Sequence, residues 1–227
     1  MDVFEAVESR LSCRAFLDKP VNPVLVRDLI AQASRAASGG NLQPWRVYAL
    51  TGAPLAELKH KVARTIDGHD PRHNEAEYPI YPKDMWEPYR SRRAEHGVQL
   101  YGALNIARDD HAGRLAQYMR NFEFFGAPVG LFITIERKLG PGQWADLGSY
   151  IHTLMLLARG HGLDTCPQES WARLYRLVGE FLQIPPEHML FCGVALGYGD
   201  RDHPANSFRS PRAAVGEFCT FLGFGDA

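Results

Sequence analysis

Three short apolar runs, at residues 45–50, 129–135 and 189–196, stand between segments whose apolar residues recur every three to four positions. Short apolar runs of this length are strand candidates, and the three-to-four spacing is that of amphipathic helices. A chain in which helices outnumber strands and separate them folds as a layered α/β or α+β domain. The strongest helix lies over 144–159, where Leu147, Ile151, Leu154, Met155 and Ala158 line one face and Gly160 and Gly162 end it. Asn22 and Pro23 read as an N-cap and first helical residue, ahead of Leu25, Leu29, Ile30 and Ala33. Pro54 starts a helix that carries Leu55, Leu58 and Val62, and a short first helix presents Val3, Phe4, Val7 and Leu11. A helical pattern over 108–125 holds Leu115, Tyr118, Met119 and Phe122 before Pro128 stops it. Gly140-Pro141-Gly142 reads as a turn, and 164–171 as a loop leading into a helix that reaches Leu182. Gly193, inside the third run, predicts a neighbour packed close against the strand.

With 227 residues and no repeat or internal linker, the chain is read as one domain, 1–227. Residues 68–97 depart from the rest. Pro71, Pro79, Pro82 and Pro88 punctuate a charged run rich in Tyr and Trp, too aromatic for a simple linker. It reads as a lid-like excursion packed over something. A net charge of −1 gives no global pull toward nucleic acid or an anionic membrane. The longest apolar helical stretch, 151–158, is too short to span a bilayer, and no secretory signal is expected. Cys13, Cys166, Cys192 and Cys219 are scattered without CxxC spacing, which favours buried reduced thiols in a cytoplasmic protein over zinc or a disulfide framework. His69 and His73 are four apart, but Pro71 between them breaks the helix a metal pair would need, so no metal site is expected.

The chemistry gathers in four segments. Arg10, Ser12 and Arg14 alternate after a helix, so in an extended segment they share one side. Two guanidiniums and a hydroxyl there suit a phosphate, the alternative being a solvated arginine pair. Arg209-Ser210-Pro211-Arg212 is a second basic cluster, either a solvated tail or the other half of a phosphate grip. Ser38-Gly39-Gly40-Asn41-Leu42-Gln43-Pro44-Trp45 joins glycines, which let a backbone approach a flat ligand, to amides and a hydroxyl. In Cys166-Pro167-Gln168-Glu169-Ser170, Pro167 fixes the chain so that the amides of Gln168, Glu169 and Ser170 face a ligand at the entrance to a helix. Cys166 has no His nearby in sequence to make it a nucleophile, and Glu169 alternatively caps the helix. There is no GxGxxG after a strand, no P-loop, no HExxH and no GxSxG.

Taken in order, these segments and the strand FCGVALG at 191–197 resemble the FMN-dependent nitroreductase family of flavin oxidoreductases, over nearly the whole chain and most weakly at 68–97. The resemblance implies a layered α+β fold, α/β/α, with a central, mostly antiparallel sheet flanked by helices. It implies a homodimer with FMN at the subunit interface and a C-terminal arm reaching the partner subunit. Carried over by position, Arg10, Ser12 and Arg14 contact FMN, with Arg209 or Arg212 at its phosphate. Ser38 and Asn41 reach the flavin of the other subunit. Pro167, Gln168, Glu169 and Ser170 lie along the flavin ring, with Asn121 as a further side-chain contact. NADH or NADPH serves as electron donor, a nitroaromatic or quinone as acceptor, in a ping-pong sequence that needs no catalytic side chain. Related scaffolds also support reductive dehalogenation, other flavin reductions or non-catalytic flavin binding. Ala37 and Gly39-Gly40 depart from the commoner family pattern without removing a polar contact. Tyr78, Tyr81, Trp86, Tyr89, Arg90 and Arg92 of the excursion either recognise an aromatic acid or pack a dimer edge.

Overall fold

The structure is a computed structural model that describes residues 1–68 and 75–224. His69, Pro71 and His73 lie outside the described residues. The helices are α1 (Val3–Ser9), α2 (Pro23–Ala33), α3 (Gly52–Asp67), α4 (Tyr89–Ala103), α5 (His111–Met119), α6 (Pro141–Gly160) and α7 (Tyr175–Leu182). The strands are β1 (Arg46–Thr51), β2 (Val129–Glu136), β3 (Asp164–Gln168) and β4 (His188–Gly197). They form one sheet in the order β1-β2-β4-β3, with every neighbouring pair antiparallel.

The central strand β2 is buried from Val129 to Ile135 because helices cover both faces. Its side chains alternate between two cores. Leu131, Ile133 and Ile135 point to Leu29 and Ala33 of α2 and Leu147, Tyr150 and Leu154 of α6. Phe132 points the other way, into a cluster with Leu55 and Leu58 of α3 and Leu177 and Val178 of α7. This is the expected α/β/α layering. Asn22 caps α2 as the sequence predicts, its Oδ1 accepting the Val24 N–H at 2.9 Å.

Trp171 anchors the second core. Phe124 stacks on it at 4.7 Å between centroids, and Phe132 and Phe122 meet it edge-on at 4.9 and 5.3 Å. A Cβ at Gly193 would collide with the Trp171 indole, which is the close neighbour the glycine predicts.

Four sequence expectations need correction. The pattern over 108–125 is not one helix: α5 ends at Met119 and a 3₁₀ segment, Arg120–Gly126, follows, with Phe124 and Phe125 at φ of +52° and +54°. Left-handed backbone at an aromatic residue costs on the order of 1–3 kcal/mol. Complete burial of both rings offsets it. Gly140-Pro141-Gly142 is the first turn of α6 rather than a separate turn, with Pro141 at the position where a missing N–H is harmless. The first helix ends at Ser9, short of Leu11, and its Val3, Phe4 and Val7 are exposed on the single chain. The loop at 164–171 is in fact strand β3 followed by a 3₁₀ turn, Glu169–Leu174. Pro167 is compatible with β3 because that strand lies at the end of the sheet.

Candidate functional site

The site is built where β3 meets the segment after α1. Past Ser9 the chain turns extended, with Arg10 at φ −65° and ψ 136°. The Cys13 N–H then donates to the Thr165 carbonyl of β3 at 2.9 Å. Alternation sends Cys13 and Ala15 into the interior and leaves Arg10, Ser12 and Arg14 on the other side. Asn206 fixes this segment. Its Oδ1 accepts the Arg14 N–H at 2.7 Å, and its Nδ2 donates to the carbonyls of Ala15 and Asp200 at 2.9 and 2.7 Å. At the start of β3, buried Asp164 accepts from both Arg159 and Arg201, at 2.7 and 2.6 Å.

Two cavities open from this frame and share Arg14. The smaller, about 430 Å³, is lined by Arg10, Ser12 and Arg14 together with Arg209, Ser210, Arg212 and His96. The basic clusters near the two ends of the chain therefore meet. Burial lowers the Arg10 pKa, and the like charges of Arg212 and Arg209 lower it further. Guanidiniums gathered against their own repulsion make a site for an anion. His96 of α4 joins them, its Nε2 3.3 Å from Arg14 Nη2 and its Nδ1 2.8 Å from Ser210 Oγ. A guanidinium only donates, so Nε2 is the acceptor, and the imidazole is neutral with its proton on Nδ1. Burial, then Arg14 and Arg212, depress its pKa accordingly.

The larger cavity, about 840 Å³, is of the size that takes a planar organic ligand. Pro167, Gln168, Glu169, Ser170 and Arg173 form its floor, on β3 and the turn that follows. Its walls come from Ile80 and Tyr81, from Arg93, Leu100 and Tyr101 of α4, from Gln117, Tyr118 and Asn121, and from Phe191. The Gln168 side chain turns toward Asn121, donating from Nε2 to the Asn121 carbonyl at 2.7 Å and to Oδ1 at 3.3 Å. This leaves Gln168 Oε1 buried without a partner, and Gln117 Nε2 is likewise unpartnered. An orphaned acceptor and an orphaned donor on one cavity match a ligand edge that carries both kinds of group. Burial raises the Glu169 carboxyl pKa. It also pushes the Cys166 thiol up to about 11, so Cys166 is a protonated interior residue rather than a nucleophile.

Ser38 and Asn41 line neither cavity of the single chain. They lie at the 3₁₀ turn Gly39–Asn41, which projects outward and is tied to α6 by the Gly39 N–H donating to Asp146 Oδ1 at 3.1 Å. Gly40, Asn41 and Gln43 all have positive φ there, so the glycine meets a backbone requirement. The other expected residues each line one cavity or both. Arg90 and Arg92 do not: Arg90 pairs with Glu87 at 2.8 Å, and Arg92 with Glu217 at 3.3 Å. Nor does Tyr78, which is buried and donates its hydroxyl to the Phe191 carbonyl at 2.6 Å, nor Trp86 or Tyr89, which meet each other edge-on at 5.5 Å. Sequence reasoning missed His96, Arg93, Arg173 and Gln117. Ser210 alone carried a signal, sitting between the two tail arginines.

Among the described residues, no helix is long and apolar enough to cross a membrane, and no cluster of three or more His, Cys, Asp or Glu forms a candidate metal site. The model of the nitroreductase family matches residues 7–198. The chain is 40% identical over 224 residues to a 4-nitrobenzoate reductase of Pseudomonas putida, covering 98% of this chain and 97% of that one. It is 34% identical to a nitrobenzene nitroreductase of Ectopseudomonas oleovorans, covering 96% of each. Among solved structures it is similar to the FMN- and NADPH-dependent nitroreductase NfnB from sphigopyxis sp. strain HMH, with 42% identity, a TM-score of 0.95, and coverage of 99% of this chain and all of that one. With the family pattern matched across most of its length and relatives aligned nearly end to end, the chain belongs to the nitroreductase family.

Proposed function

We propose that this protein is an NADPH-dependent, FMN-mediated reductase of nitroaromatic compounds. The single observation that carries the reading is that two cavities share Arg14, one basic and one wide, with Tyr81, Tyr101, Tyr118 and Phe191 among its walls. FMN has that division, a phosphate at one end and a flat ring with donors and acceptors along one edge at the other. When bound, it would supply the hydride chemistry, taking electrons from NADPH and passing them to a nitro group. Arg10, Arg14 and Arg212, with Ser12 and Ser210, would hold the phosphate. The orphaned Gln168 Oε1 and Gln117 Nε2 meet the polar edge of the ring. The floor from Pro167 to Ser170 would support the ring, and Tyr118, Tyr101 and Phe191 would keep water from the acceptor. Donor and acceptor occupy the larger cavity in turn, so turnover is ping-pong. No side chain acts as a nucleophile.

The acting unit is a homodimer of single-domain chains 1–227, with Ser38 and Asn41 of each completing the cavity of the other and the C-terminal arm lying on the partner. Their position outside the cavities of their own chain supports this. So does the exposure of Phe4 and Val7 on α1 and of Phe218, Leu222 and Phe224 in the tail, large apolar side chains that a partner would take out of water. Four free thiols suit the reducing cytoplasm.

The test is direct. Purified protein carries an oxidised-flavin absorption spectrum that NADPH bleaches and 4-nitrobenzoate or nitrobenzene restores without oxygen. Protein that takes up no FMN from solution would end this reading, and reduced protein that no nitroarene re-oxidises would end its substrate half.

A further inference from the structure

Arg90 and Arg92 are engaged by Glu87 and Glu217, yet the same helix does send one guanidinium into the larger cavity, that of Arg93. Its Cζ lies 4.2 Å from the centroid of the Tyr81 ring. Among the described residues no carboxylate pairs with it. Arg93 is exposed on the single chain, and a guanidinium held over an aromatic face at the mouth of a cavity, with no carboxylate engaging it, is placed to meet an anion that enters.

Three arginines line this cavity, and their positions differ. Arg14 belongs equally to the basic cavity, where His96 contacts it. Arg173 rises from the floor, in the turn that also carries Ser170. Arg93 stands on the wall built by α4 and residues 80–81. With the flavin ring along the floor, a nitroarene reduced on it lies within the walls of the cavity, and Arg93 is the cation that those walls offer to a substituent of its ring. Glu169 is the one acid of the lining, on the floor in Arg173's turn, and burial raises its carboxyl pKa.

We infer that Arg93 is a specificity-determining residue that binds the carboxylate of a nitroaromatic acid, with Tyr81 holding its guanidinium in place. The inference rests on the reading of this cavity as the place of nitro reduction. A fork of two N–H donors fits a carboxylate in plane, and a neutral amide or ester of the same shape takes up only part of it.

The experiment uses FMN-loaded protein as wild type, Arg93→Gln and Arg173→Gln. Steady-state kinetics are measured with 4-nitrobenzoate and with 4-nitrobenzamide, and benzoate binding is measured by calorimetry. Arg93→Gln is expected to raise KM for the acid by about tenfold, the loss of one charge-assisted contact. It leaves kcat and the KM for the amide nearly unchanged, and it weakens benzoate binding in parallel. Equal losses for acid and amide, or a loss confined to Arg173→Gln, would overturn the assignment. Benzoate affinity indifferent to Arg93 overturns it whatever the reaction. If no variant reduces either nitroarene while benzoate binding still depends on Arg93, the proposed reaction falls and the anion site stands.

Discussion

Arg14 and His96 hold the junction between the two cavities through a contact that works only while the imidazole is neutral. The depressed pKa of His96 sets the sign of a pH effect. In the unfolded chain the imidazole titrates near 6.5, and in the native cofactor-free protein it titrates lower. As pH falls through 6.5 the unfolded chain binds a proton that the native one resists, so stability contributed by the neutral form is lost. Glu169 works the other way, because its raised pKa favours the native state as the carboxyl protonates. A difference measurement separates the two. The urea midpoint of cofactor-stripped protein should fall more steeply between about pH 7.5 and 6 for wild type than for His96→Gln. Identical slopes would mean that His96 titrates as freely as in the unfolded chain. Neither His96 nor Arg93 was legible in the sequence as a site residue. His96 meets Ser210 across 114 positions, and Arg93 differs from its paired neighbours Arg90 and Arg92 only in its phase on α4. That phase cannot be read from a charged, weakly apolar helix opening inside a proline-rich stretch.

Among the elements, β2 and β4 were legible and β3 was not, for one physical reason. The central strands are covered on both faces and are written in apolar residues. β3 buries Asp164, Thr165 and Gln168; Arg159 and Arg201 meet the Asp164 carboxylate, the Gln168 Nε2 donates to Asn121, and no local pattern announces such partners. The sequence did announce one packing constraint, at Gly193, which pairs with Gln168 and lies against Trp171. Gly193→Ala should therefore strain the turn that carries the cavity floor. Overpacking of this kind costs about 1–3 kcal/mol. In a domain of this size that lowers the melting temperature by about 2–4 °C per kcal/mol. Circular dichroism would show the lower transition with native secondary structure retained, and an unchanged melting temperature would mean that the indole moves aside without penalty.

For the whole molecule, the layered fold was legible and the completeness of the site was not. Strand content, helix order and the two basic clusters are local properties of the sequence. The placement of Ser38 and Asn41 outside their own chain's cavities emerges only from the fold. If they complete a partner's cavity, cofactor binding and assembly are linked, because a ligand that binds only the assembled state stabilises that state. Stripping FMN should lower the melting temperature and shift the mass in solution toward a monomer. Asn41→Ala should weaken FMN several-fold, since a lost polar contact costs about 0.5–1.5 kcal/mol. Light scattering during FMN titration checks both, and a monomer that binds FMN fully would refute the shared site.

The basic cavity also has a consequence for the order of events in synthesis. Arg209 reaches Glu8 across 201 positions, so one wall of the cavity is made before any strand of the sheet and the other after β4. A nascent chain lacking residues 209–212 has Arg10 and Arg14 but not the guanidiniums that face them, nor the Ser210 hydroxyl that meets His96. The second wall of the anion pocket is therefore delivered only after all four strands of the sheet, and the complete pocket is available to its ligand no earlier than that.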